Sequence, residues 1–263
     1  MLRTHLRIWV HFWRLSVARE THYRANFLTL AVVAILETFM TILPMLLIFS
    51  FTSAVSGWSR AESIALVGFF RTAIGVHELL ASGGAYRLSS DIQNGDLDLV
   101  LIRPVNAQFY VACRFVTLPQ MVNVLIGMLV AAIGVARSDV TVGLTSFVQT
   151  MAIFICGMIL LNAAILGGSY IAFRVTTIDG LNWMLQDVAD MGRYPISFYP
   201  GAIRFVLTAI VPVAFVTTVP MDALRGFTGW DTVLLTVAFT CLVVMLLRWW
   251  WNNSVRHYAS AGS

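Results

Sequence analysis

Three side chains stand where their kind is costly. Glu37, Arg71 and His77 each fall inside a long apolar run, and at membrane depth an ionisable residue needs a partner, a wet cavity or a functional reason. Glu37 and Arg71 lie about ten residues into their respective runs, which at ~1.5 Å per residue brings both near the middle of a ~30 Å hydrocarbon core. Two antiparallel neighbours could pair these charges; otherwise each faces a wet cavity or a partner subunit. His77 suits a proton relay or a packed, interface-facing ring. The trio would also fit an ion- or proton-coupled secondary transporter using Glu37, Arg71 and His77. Such carriers commonly show inverted repeats with paired broken helices, and no convincing internal repeat is found.

Other chemistry lacks its residues. There is no G-x-x-x-x-G-K-[ST] loop to cradle phosphates, no H-E-x-x-H pair and no G-x-S-x-G elbow. Cys113, Cys156 and Cys241 are dispersed without metal or redox spacing, and read as small buried residues. Gly83-Gly84 and Gly167-Gly168 have no phosphate-binding context and are expected to let helices pack closely. The expectation is therefore no catalytic residue, no metal ligand and no cofactor bound by this chain.

The most informative stretch is polar and short: Asp91-Ile92-Gln93-Asn94-Gly95-Asp96-Leu97-Asp98-Leu99-Val100-Leu101-Ile102-Arg103-Pro104-Val105. Gly95 suits the left-handed residue that closes a helix, and Asp96 stands where an N-cap would open the next. Pro104 breaks that second helix or starts the following one. Aliphatic residues alternating with carboxylates between those points make a compact knob.

Ile92-x-x-Gly95-Asp96-Leu97-Asp98-x-x-Leu101-x-Arg103-Pro104-Val105 resembles the loop joining spans two and three in type-2 ABC transporter permeases, nearest to small six-span members with a G-x-L-D-x-x-L-x-R-P-V pattern. The resemblance implies an all-α polytopic membrane subunit with six transmembrane helices. It implies that the loop at 83–108 is a coupling element seated on a separately encoded ATPase, with Asp91, Ile92, Gly95, Asp96, Leu97, Asp98, Leu101, Arg103 and Pro104 at that interface. ATP and Mg would be bound by two copies of the ATPase. A second permease, identical or related, would complete the path, most simply for export.

Composition supports the class without the resemblance. Of 263 residues, 59% are hydrophobic and 11% charged, with mean hydropathy +0.81; soluble domains carry roughly 45–50% and about 25%. A net charge of +4 without a basic stripe argues for a membrane surface rather than nucleic acid.

The elements that must hold these residues follow in order. Residues 1–26 are expected to form an amphipathic cytoplasmic interface helix: Leu2, Leu6, Trp9, Trp13 and Val17 share one face, with Arg3, Arg7 and Arg14 beside it. Residues 27–252 hold the spans and 253–263 a short cytoplasmic tail. Spans are expected near 27–52, 62–82, 115–136, 142–173 and 232–247, the last closed by Trp249-Trp250-Trp251 at the interface. The fifth crossing is ambiguous. Hydropathy favours 205–222; the resemblance favours 175–196, with 203–219, broken by Pro212, re-entering from outside. Either gives an even count. The clustering of arginines near the termini and the loop then places both ends in the cytoplasm, most simply at a bacterial inner membrane.

Overall fold

The computed structural model describes residues 2–20, 24–175 and 179–258. Helix α1 (Leu2–Glu20) precedes α2 (Arg24–Phe51), which holds Pro44 within its length. A hairpin of β1 (Ala54–Val55) and β2 (Trp58–Ser59) turns the chain into α3 (Arg60–Leu80). That helix starts on a capping box: the Glu62 N–H donates to the Ser59 hydroxyl, and the Ser59 N–H donates to the Glu62 carboxylate. After a break at Ala81 it continues as α4 (Ser82–Asn94). Together they run 35 residues, about 50 Å at ~1.5 Å per residue, so α4 carries the polar loop beyond a ~30 Å core.

The loop folds as α5 (Asp96–Leu101) and α6 (Ala107–Cys113). Then come α7 (Met121–Ala136), α8 (Leu144–Ser169), α9 (Asp179–Asp190), α10 (Gly201–Phe205), α11 (Thr218–Leu224) and α12 (Trp230–Arg256). Five segments are long and apolar enough to cross a membrane: Leu28–Phe51, Arg60–Asn94, Leu118–Ala136, Leu144–Phe173 and Trp230–Arg256. They fall where the apolar runs predict.

Helices α3 and α7 form the most extensive contact. Gly68 and Gly75 on α3, and Gly127 and Gly134 on α7, each pair seven residues apart and so on one helix face, sit where the other helix comes closest, Gly75 against Asn123 and Val124 and Gly134 against Ala65. A Cβ at Gly68 would strike the Ala131 backbone, and one at Gly127 the Thr72 backbone. With lipid as the solvent, such close approach is what makes helices associate. Gly127→Leu is therefore expected to lower the melting temperature sharply in detergent, since overpacking costs ~1–3 kcal/mol or more. Gly201→Leu, with open space around that glycine, is the matched control. Equal melting of the two variants would contradict the contact. Gly84 and Gly168 also serve close packing, against Val111 and Leu185.

The fifth crossing is resolved by contacts far apart in sequence. Residues Gly201–Ile210 and Val213–Leu224 form a pair bent by 72°, with Pro212 at the bend. The Trp58 Nε1–H donates to Ser197 Oγ at 3.1 Å, tying the entry of this pair to the β1–β2 hairpin. At its exit, Arg225 donates to the Gly57 carbonyl at 2.6 Å and pairs with Glu62 at 2.8 Å. Both ends thus lie at the same end of the bundle. In between, Leu207, Val211 and Val213 are buried among Leu161, Ile165 and Ala189. Carbonyls freed by the irregular backbone find hydroxyl donors: Thr217 donates to Val213 and Thr150 to Pro220, as buried non-helical backbone requires. The pair is re-entrant. From Trp183 on α9, whose ring lies 6.4 Å from that of Tyr86 on α4, the chain passes through the turns Met191–Arg193 and Ile196–Phe198, and so runs from the knob end of the bundle back to the hairpin end. Hydropathy misses this return because Asp187, Asp190 and Arg193 interrupt it. Single cysteines at Gly201 and Phe227, in a background without the native three, are expected to label from the same side of the membrane; labelling from opposite sides would restore 205–222 as a span.

The helix of the last span continues without a break through Asn253 to Arg256. Trp251 is buried at 5% exposure while Trp249 is 67% exposed, so the tryptophans do not form a uniform belt. The cysteines are not the buried residues expected: Cys113 and Cys156 are partly exposed and Cys241 is exposed on the surface of the single chain. On α1, Phe12 packs on Leu79 and Val116, with Ile8 and Trp13 beside it; the side chains of Leu2, Arg3 and Leu6 lie outside the described residues.

Candidate functional site

The knob between spans two and three is built as two faces. Gly95 ends α4 with φ of 77°, the left-handed value expected of a closing glycine. It also occupies the cap of α5, so Asp96 sits in the first turn rather than at the cap. A carboxylate is still favourable there, against the positive end of the helix. Leu97 and Val100 are buried, packing with Leu88, Val111, Tyr170 and Trp251; Ile92 and Leu101 pack against the same cluster. Asp91 is buried too, paired with Arg114 across the base of the loop. These residues fasten the knob to α8 and α12. Leu97, at 0% exposure, and Asp91 face the chain's own interior, so neither can touch a partner here.

The outward face is different. Asp96, Arg103 and Pro104 are exposed, and two residues that sequence reading did not single out stand with them: Leu99 at 57% and Ile102 at 79% exposure. Arg103 is held in place, donating to the Leu99 carbonyl at 3.2 Å and to the Tyr110 hydroxyl at 2.7 Å. Asp98, half-buried, lies beside Tyr258 of the tail. Partial burial, then that carboxylate, push the Tyr258 phenol above its ordinary value. Helical spacing shows two apolar stripes here, 97/100/101 and 99/102, and only the rest of the fold decides which turns inward.

Inside the bundle the expected pair forms. Arg71, 8% exposed, reaches Glu37 Oε2 at 3.1 Å from α3 to α2. The same nitrogen donates to Asn123 Oδ1 at 2.6 Å, and Asn123 in turn donates to Gln120. Asn123 was legible only as an amide in an otherwise uncharged span. The Glu37 side chain is 55% exposed, so the pair opens on the outer surface of the single chain. His77 stands apart: its Nδ1 lies 2.8 Å from Asn162 Oδ1 on α8.

A bundle of membrane-crossing helices, a re-entrant hairpin and a rigid polar knob define a multi-pass membrane transport protein. The profile of the ABC-2 family transporter proteins matches residues 35–262, and the chain belongs to that family. It is a permease of the ABC-2 kind, a family that works with a partner ATPase subunit in a transporter complex. Comparison with curated proteins and with solved structures returned no match.

Proposed function

We propose that this chain is the membrane subunit of an exporter driven by ATP hydrolysis in a separate subunit. The observation that carries the reading is the pair of large apolar side chains, Leu99 and Ile102, held out from a knob whose other face is locked into the bundle. Exposed aliphatic residues ringed by Asp96 and Arg103 suit an anchor-and-rim interface. In this reading two ATPase copies bind ATP and Mg and close on each other, and the push enters through α5. Because Leu97 and Val100 rest on Tyr170 and Trp251, the push reaches α8 and α12 as well as α3 and α7. A second permease, identical or related, covers the side bearing Glu37. Both termini and the knob lie in the cytoplasm at a bacterial inner membrane, with α1 along the inner surface and its arginines toward anionic lipid. The chain itself hydrolyses nothing. Purification of the tagged chain from its native membrane under mild detergent is expected to bring down a P-loop ATPase and vanadate-sensitive ATP hydrolysis. Recovery of the chain without any nucleotide-hydrolysing subunit would end this reading.

A further inference from the structure

Helix α1 and the knob enclose a basic groove. Arg7, His11 and Arg14 follow one another at helical spacing, which at 100° per residue sets them in one narrow sector of α1. A hollow of about 360 Å³ lies between that sector and the knob, with Arg7 and His11 on one side and Arg103 and Val105 on the other. A second, of about 340 Å³, shares Arg7 and His11 and runs on to Arg14. Among the described residues, no carboxylate borders either hollow.

The donors of this groove suit an anion. Arg7, His11 and Arg14 are exposed, and none has a partner among the described residues. Arg103 is held in place by the Leu99 carbonyl and the Tyr110 hydroxyl, and its guanidinium lies 4.7 Å over the Tyr110 ring. Those contacts use Nε and Nη1 and leave Nη2, with the Tyr110 proton, for a ligand. Arginine forks are the usual grip on a phosphate.

Depth decides what that phosphate belongs to. Phe12, in the same wall, packs on Leu79 and Val116. Leu79 lies near the end of α3, about 28 Å from its start at ~1.5 Å per residue, close to the ~30 Å of a hydrocarbon core. Val116 just precedes the span that begins at Leu118. The groove therefore sits at headgroup level, with Ile8, Phe12 and Val105 beside the basic groups to meet the first acyl carbons. A choline head would bring a further cation among three arginines; a head without one would not.

We propose that the groove between α1 and the knob binds one anionic phospholipid from the leaflet on the knob side. Its phosphate accepts from Arg7, His11 and Arg103, with Arg14 beyond, and so fastens α1 to the knob. The site rests on the placement of α1 along the membrane surface proposed above. It needs no ATPase, so it can fail while the coupling reading stands, and the reverse.

The test uses the purified full-length chain, stripped of lipid in mild detergent. It is titrated with phosphatidylglycerol and with phosphatidylcholine of the same acyl chains, and bound lipid is counted by native mass spectrometry. One phosphatidylglycerol is expected to bind about tenfold more tightly than phosphatidylcholine. Arg7→Gln or Arg103→Gln is expected to weaken it about tenfold, the loss of one charged hydrogen bond. Arg256→Gln, at the exposed end of α12, removes the same charge elsewhere and is expected to change nothing. Equal retention of the two lipids by the wild-type chain, or equal losses from Arg7→Gln and Arg256→Gln, would overturn the site in favour of diffuse attraction. Displacement of the lipid by millimolar inorganic phosphate would assign the groove to a free anion and overturn it as well. All three substituted side chains are exposed, so the variants are expected to fold; should one not, the contrast between the two lipids on the wild-type chain still decides.

Discussion

Leu97→Asp is expected to remove the folded permease from the membrane, whereas Ile102→Asp is expected to leave it folded and without its ATPase. The two positions lie five residues apart on one short knob and differ in what surrounds them. Leu97 is fully buried beside Leu88, Val111, Tyr170 and Trp251. A carboxylate there has no partner, and such a substitution costs at least ~4 kcal/mol. Ile102 is 79% exposed, where a polar replacement changes stability by only about ±0.5 kcal/mol. As an interface anchor it would cost about 2 kcal/mol of binding, roughly thirtyfold in affinity. Detergent-solubilised yield measures the first effect, and retention of the ATPase on immobilised permease measures the second. Wild-type yield from Leu97→Asp would contradict the inward packing of the knob.

Arg71→Gln and Glu37→Gln are each expected to lower the yield of monodisperse protein strongly, and the double variant by clearly less than the sum. Arg71 is buried between α2, α3 and α7, where the Glu37 carboxylate, the Asn123 amide and the Ala34 carbonyl accept from it. Removing Glu37 takes away the carboxylate that Arg71 touches and leaves its guanidinium at membrane depth on the Asn123 amide and the Ala34 carbonyl, at a cost on the order of 2.5–3.5 kcal/mol. Removing Arg71 leaves a carboxylate in the same position. Removing both leaves two neutral amides that can bond to each other and to Asn123, which is why breaking a pair hurts more than deleting it. Melting temperatures of the four proteins complete the cycle. Strictly additive losses would mean that the contact between α2 and α3 contributes nothing.

The spans were legible because an apolar run of ~20 residues has few alternatives to crossing a bilayer. The Glu37–Arg71 contact was legible for a related reason: two costly charges at equal depth on neighbouring helices have an obvious solution. The return of the chain through α9 and the turns after it was not, since the stretch carries Asp187 and Asp190 and its course is identified through Trp58 and Ser197, which meet across 139 residues of separation. The knob was half legible. Gly95 announces the end of α4, but nothing local distinguishes the Leu97 stripe from the Leu99 stripe; Tyr170 and Trp251, supplied by distant helices, make that choice. The heptad glycines of α3 and α7 were present in the sequence, yet their partnership needs two spans whose register the sequence leaves open.

The most direct measurement of the central claim is photo-crosslinking from the outward face of the knob. A benzophenone amino acid placed at Ile102, and separately at Leu99, in the intact complex in its native membrane should give a covalent adduct with the ATPase subunit. The same probe at Leu129, a lipid-exposed position on α7, should give none. Adducts from 99 and 102 that are suppressed when ATP turnover is trapped with vanadate would still place the ATPase on this face. No ATPase adduct from either position, in a preparation where the ATPase co-purifies, would show that the push enters the permease elsewhere.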